Sequence, residues 1–393
     1  MRITIITDTF YPELNGVSMS LLRLAEGLVQ LGHNVEVIRP KCGKIVNKYN
    51  SGLKEITVAG LPLFGYPGLR VGLPRKRGLT KIWNEQKPDI IYVATEGLLG
   101  QSAISAARKL SIPCVSGYHT HFVHYLNHYK LPLMKRFALA YLKRLHNRTS
   151  LTLAPTESLA NELYEKGFGK TASLGRGIDT DLFNPNKRSD QIRQGWGVKD
   201  DDPVAIYVGR VAAEKNIALA LSNLRHFQKI HKNLKIVVVG DGPVKKELES
   251  LYPEVIWEGS RRGEELAAMY ASADMFVFPS ESETYGNVIA EAMSSGLVSV
   301  CYDLAAAKEL IIDEVSGFVA KPDSAISFRG AIRQALSKQH YWPAMGNIAR
   351  DEVRGRDWET VIKEFEHYLS EISNKGKSNL FNEERYAGTL HVA

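Results

Sequence analysis

The chain has 393 residues, 44% of them hydrophobic and 24% charged. That length exceeds one ordinary core and predicts two domains, while the composition excludes a disordered or fibrous chain. The net charge of +7 is uneven, with 24 Lys and Arg against 12 Asp and Glu in residues 1–180 and 26 against 31 in the rest, so a basic half could face an anionic surface.

In chain order, apolar runs at 3–7, 34–39, 90–93, 114–117, 151–154 and 171–174 read as strands. Helix-length segments lie between them, as at 17–31 and 97–110. A turn-rich stretch from Ile178 to Pro185 and the acidic restart at Asp202-Pro203 mark a boundary. The scheme then repeats, with strands at 204–208, 235–239, 255–257, 275–278 and 298–301. Continuous Val/Ile runs alternating with helices predict parallel sheets covered on both faces, hence two doubly wound α/β domains. The expected division is a first domain over 1–177, a second over 178–357, a helix over 358–372 and a disordered polar tail over 373–393. No apolar run reaches a membrane span, and Met1–Asp8 is too short and too soon acidic for a signal peptide. Three scattered cysteines, Cys42, Cys114 and Cys301, point to a reducing cytoplasm.

Ligands of doubly wound sheets sit beyond the carboxyl ends of the strands, and the candidates cluster there. Arg210 and Lys215 follow the strand 204–208 and suit a pyrophosphate; the competing reading is a surface ion pair with Glu214. The run 279–293 sets Glu283 in a turn and Glu291 inside the following helix, two grips for a hydroxyl-rich ligand. Between them, the amides of Tyr285, Gly286, Asn287 and Val288 open a helix N-terminus to phosphate. Gly16 and Gly242 permit close backbone approach or serve only as turn residues. His119 follows the strand 114–117 as a substrate contact or a hydrogen-bonded structural histidine. His124 and His128 have metal-ligand spacing but no acid nearby, and Asp179-Thr180-Asp181 reads as a turn, so no metal is expected. Between Glu96 and Glu157 no acid occurs, and Lys135, Arg136, Lys143 and Arg144 interleave with aromatics as a candidate membrane-contact helix.

Together, in this order, these motifs resemble the retaining glycosyltransferases of family GT4, which have the GT-B fold of two Rossmann-like domains facing across a cleft. The opening Thr7–Val17 and the segment from Tyr118 to His121 look like the family's lipid-directed α-mannosyltransferases and sulfolipid-type enzymes. The resemblance implies a hexosyltransferase without cofactor or metal. Arg210 and Lys215 would neutralise the donor diphosphate, Glu283 would hold sugar hydroxyls, Glu291 the ribose, Gly16 would lie at the diphosphate and His119 beside the transferred sugar. GDP-mannose is the first expected donor and a UDP-hexose the second. The acceptor would be a membrane lipid or glycan, reached by peripheral association with the anionic inner membrane face; no nucleic-acid partner is expected. The region after the second glutamate often carries a Gly pair in the family, but here it reads Asp303-Leu304-Ala305-Ala306-Ala307-Lys308-Glu309. A sugar-nucleotide 2-epimerase and a noncatalytic sugar-nucleotide-binding subunit are the alternatives.

Overall fold

The structure, a computed structural model, describes residues 1–13, 15–42, 52–62, 70–119, 132–199 and 202–388, with side chains omitted at 132–135 and beyond 375. Two compact units emerge: Met1–Gly175 together with Glu359 onward, and Arg176–Trp358.

The first unit is built on a seven-stranded sheet. Its strands are β1 (Arg2–Ile6), β2 (Asn34–Pro40), β3 (Lys54–Val58), β6 (Ile90–Val93), β7 (Cys114–Gly117), β8 (Leu151–Ala154) and β9 (Thr171–Ser173). They lie in the order β3-β2-β1-β6-β7-β8-β9. Every pairing in the sheet is parallel. Two short strands, β4 (Gly60–Pro62) and β5 (Arg70–Gly72), form a separate antiparallel pair. Parallel strands need helical crossovers, which cover both faces and explain why β6, β7 and β8 are buried throughout. The first crossover helix, Gly16–Gln30, starts where Asn15 accepts a hydrogen bond from the Ser18 amide.

The second unit has a six-stranded parallel sheet. The strands are β10 (Val204–Val208), β11 (Lys235–Val239), β12 (Ile256–Gly259), β13 (Met275–Phe278), β14 (Val298–Tyr302) and β15 (Gly317–Ala320). Their order is β12-β11-β10-β13-β14-β15. In both sheets the order reverses beside the first strand, between β1 and β6 and between β10 and β13. Those two switch points are the ligand positions of doubly wound folds.

The expected α/β architecture is present, with corrections at the edges. Strands β3 and β15 escape sequence reading because each lies at a sheet edge: β3 mixes Lys54 and Glu55 with apolar residues, and β15 opens on Gly317, which reads as a turn residue. The boundary falls at Gly175/Arg176. The final helix runs Trp358–Gly388, well past the expected start of a tail at 373. At the junction the Ile178 amide donates to the Arg356 carbonyl at 2.9 Å, so the chain enters and leaves the second unit side by side. Beyond Trp358 the helix packs on the first unit, with Phe365 edge-on to Tyr92 and Ile362 filling the space left by Gly27.

Candidate functional site

In the second unit, the loops after β10 and β13 bring Arg210, Lys215 and Glu283 to one end of the sheet. Lys215 Nζ lies 2.5 Å from Glu283 Oε1, both side chains about one-sixth exposed (17% and 15%). The buried Ser280 hydroxyl donates to the same Oε1 at 2.9 Å. Ser282 donates to the Glu214 carbonyl, and Asn216, in a left-handed turn, donates to Glu281 at 3.0 Å. These bonds tie the two loops together across more than 60 residues of sequence. Arg210 is 55% exposed and paired with Glu214 at 3.2 Å. The surface ion-pair reading of Arg210 therefore describes its resting contact, and an exposed pair of this kind is weak enough to exchange for a ligand.

Past Glu283 the chain turns at Gly286, whose φ of +94° favours glycine, and enters the helix Asn287–Ser294. Among the described residues no side chain caps that terminus, which leaves its first amides for an anion. Tyr285 is buried and its carbonyl accepts from the Ala306 amide. Glu291 keeps some exposed surface, yet burial of its carboxyl raises it to about 7; the Tyr270 hydroxyl donates to Oε2 at 3.0 Å and opposes the rise. Ala305, just before the helix Ala306–Leu310, takes φ +51° and ψ −131°, a strained backbone for alanine.

Gly242 has a packing explanation. A Cβ there would lie 2.2 Å from the Val211 carbonyl oxygen, and one on Gly240 would lie 1.9 Å from that of Gly209. The glycines let the loop after β11 press against the loop after β10, and that packing accounts for them without a ligand.

The first unit carries the other expected residues. Gly16 has no positive φ, and a Cβ placed on it would meet none of the described residues within 4 Å, so no packing among them explains its lack of a side chain. His119 is buried, with Nε2 2.7 Å from the Tyr92 hydroxyl. This geometry matches the structural-histidine reading rather than an open substrate contact. Asp179 accepts from the Leu182 amide, as a turn residue does. His124 and His128 lie outside the described residues, among which no group of His, Cys, Asp or Glu is arranged to hold a metal.

Sequence reasoning missed Asp8. It lies two residues past the end of β1 and accepts from the Gly72 amide at 2.8 Å and the Thr95 hydroxyl at 3.0 Å. Burial raises its carboxyl, and Glu96 and Glu13 push it further up against those two hydrogen bonds. An acid just past the strand at a switch point was the available signal.

On the helix Pro132–His146, Arg136, Phe137, Tyr141 and Arg144 are exposed, while Leu142, Leu145 and His146 are buried. Lys143 is half-buried beside Gly167, and the Lys135 side chain lies outside the described residues. No described helix is long and apolar enough to cross a membrane.

Residues 14–182 match the family Glycosyltransferase Family 4, and residues 188–352 match Glycosyl transferases group 1. A GDP-mannose-dependent alpha-mannosyltransferase of Corynebacterium glutamicum is 31% identical over 379 residues, covering 95% of this chain and 90% of that protein. An alpha-monoglucosyldiacylglycerol synthase of Acholeplasma laidlawii is 30% identical over 325 residues, covering 77% of this chain and 81% of that protein. Among solved structures, Anabaena HepE in complex with UDP superposes with a TM-score of 0.76 at 20% identity over 94% of this chain and all of that one. A transferase relative matched over nearly the whole chain disfavours the epimerase alternative. With two Rossmann-like units, charged groups gathered at a switch point and these matches, the chain belongs to the GT4 glycosyltransferases and is a hexosyltransferase of GT-B fold.

Proposed function

We propose that the protein transfers a hexose from a nucleotide sugar, GDP-mannose first and a UDP-hexose second, to a hydroxyl of a membrane glycolipid or glycan precursor, with retention of anomeric configuration. The single observation that carries this reading is the assembly of Arg210, Lys215 and Glu283 beside the uncapped helix at Asn287. Two cations and a row of amides offset the charge that develops on a leaving diphosphate. Glu283 and Glu291 accept hydrogen bonds from hydroxyls, Glu283 on the sugar and Glu291 on the ribose. Glu283 is a sugar-binding group and not a covalent nucleophile, so attack proceeds on the face of the departing phosphate, whose oxygen takes the acceptor proton. On this reading the cations do the work of a metal, and transfer persists in chelator. The donor preference is supported by the mannosyltransferase relative named above.

The exposed basic and aromatic face of the helix Pro132–His146 supports peripheral binding to the anionic cytoplasmic leaflet. Nucleic acid has no part in this reading. A screen of nucleotide sugars that reads released nucleoside diphosphate, with and without chelator and lipid acceptor, tests the transfer. Absence of release from every donor would sink it. Co-sedimentation with phosphatidylserine vesicles tests the surface: loss of Arg136 and Arg144 is expected to weaken binding several-fold, and unchanged binding would refute that face.

A further inference from the structure

We infer that Asn216 and Glu281 are positioning residues for the transfer: the hydrogen bond between them holds the left-handed turn that aims Lys215 at the departing diphosphate. The inference rests on the transferase reading and adds to it two residues that act through Lys215.

A lysine side chain is flexible, so its aim depends on the backbone that carries it. Lys215 ends the short 3-10 turn Ala213–Lys215, and only Asn216 separates it from the helix Ile217–Gln228. Asn216 takes φ +53° and ψ +26°. That backbone disfavours a residue with a Cβ and suits glycine, although asparagine tolerates it better than most. Its side chain makes a long-range bond there: Nδ2 donates to Glu281 Oε1 at 3.0 Å, across 65 residues of sequence.

Glu281 is itself anchored. It lies in the loop after β13 that also carries Glu283, and its carboxylate accepts from the Tyr302 hydroxyl. Tyr302 ends β14, is buried, and packs on Phe328 with ring centroids 5.1 Å apart. Burial, then the charges of Glu281 and Asp323, push its hydroxyl up to about 12, so it remains a donor near neutral pH. Glu281 thus joins the loops after β10 and β13 to the end of β14, and those three strands are neighbours in the sheet.

Lys215 is bracketed by this loop. Ser282 holds the Glu214 carbonyl at 3.1 Å on one side, and Glu281 holds the Asn216 side chain on the other. Between those two points Nζ reaches Glu283 Oε1 at 2.5 Å. With one point removed, the backbone of Lys215 can rotate about the other. A group misplaced by about 1 Å loses up to about 10²-fold in rate, and it loses less in ground-state binding.

Asn216→Gly separates two explanations of the turn, because glycine keeps the left-handed backbone and loses only the side-chain bond. If asparagine is present only because it tolerates the turn, turnover stays at the wild-type level. The positioning role predicts a kcat about tenfold lower, with donor KM and nucleoside diphosphate affinity each within about threefold. Glu281→Ala should show the same split. Glu281→Gln keeps an acceptor for Asn216 and should restore most of the rate. In a Lys215→Ala background, Asn216→Gly should cost less than about twofold in kcat and nothing further in diphosphate affinity, since the group it aims is gone. Wild-type turnover in Asn216→Gly, or the full tenfold loss on top of Lys215→Ala, overturns the inference. Diphosphate titration reads Lys215 without turnover. If no donor is turned over by the wild type, yet Asn216→Gly weakens diphosphate binding only when Lys215 is present, the transferase reading falls and the positioning of Lys215 stands.

Discussion

Lys215 and Glu283, 68 residues apart in sequence, neutralise each other across the second unit's switch point at 2.5 Å. A diphosphate and a hexose would each claim one member of that pair. On the proposed reading, donor binding exchanges an internal ion pair for two external contacts, and the half that remains reports on the half removed. Glu283→Gln is expected to tighten nucleoside diphosphate binding three- to tenfold, about 1 kcal/mol, while lowering sugar transfer at least 100-fold. Calorimetry with the diphosphate alone, set beside turnover with the full donor, separates the two effects. Weaker diphosphate binding in this variant would contradict the exchange.

Removing the cations acts in the opposite sense on binding. Lys215→Ala and Arg210→Ala are each expected to cost about 10²–10³ in turnover, as loss of one preorganised donor to a developing oxyanion does. Lys215→Ala also leaves Glu283 without its ion-pair partner, so its loss of diphosphate affinity should exceed that of exposed Arg210→Ala. Steady-state kinetics at saturating donor checks the first expectation, and diphosphate titration checks the second.

Glu291 predicts a pH signature. Its folded-state value of about 7 lies above the ordinary 4.5, so the group binds more protons folded than unfolded between those limits. Its contribution to stability is fully present below 4.5 and is lost as pH rises through 7. Glu291→Gln should therefore melt higher than the wild type at pH 8 and show a smaller difference at pH 5. In ligand binding the ionised form is the better acceptor of ribose hydroxyls. Nucleoside diphosphate affinity should rise from pH 6 to pH 8 more steeply in the wild type than in Glu291→Gln, which serves as the control for phosphate titration.

Ala305 offers a stability test. Its φ of +51° with ψ −131° costs an alanine about 1–3 kcal/mol, and glycine occupies that region without a Cβ clash. After glycine's own entropic penalty, Ala305→Gly should stabilise the protein by about 1 kcal/mol in chemical denaturation. A destabilised variant would show that the Ala305 methyl group contributes packing that outweighs the strain.

The sequence was most legible where local pattern and burial agree. Val204–Val208, Ile90–Val93 and Met275–Phe278 read correctly to the residue because interior parallel strands, buried on both faces, tend to be continuously apolar. The edge strand β3 did not, because one open side tolerates Lys54 and Glu55. The candidates Arg210, Lys215 and Glu283 were singled out on the same ground, because the ends of interior strands can be read from the sequence. What stayed hidden was set by distant partners. His119 was seen, but not the Tyr92 hydroxyl that occupies its Nε2. Gly242 suggested a ligand, whereas Val211 backbone fills the space. Asp8 draws its setting from Gly72 and Thr95, 64 and 87 residues away, and no local window holds all three.

The helix that begins at Trp358 also fixes an order of maturation. Residues 176–358 are one uninterrupted stretch, and their unit can close as soon as that stretch has left the ribosome. The first unit emerges earlier but waits for Ile362 to fill the space at Gly27 and for Phe365 to meet Tyr92. The half translated first is thus the half completed last.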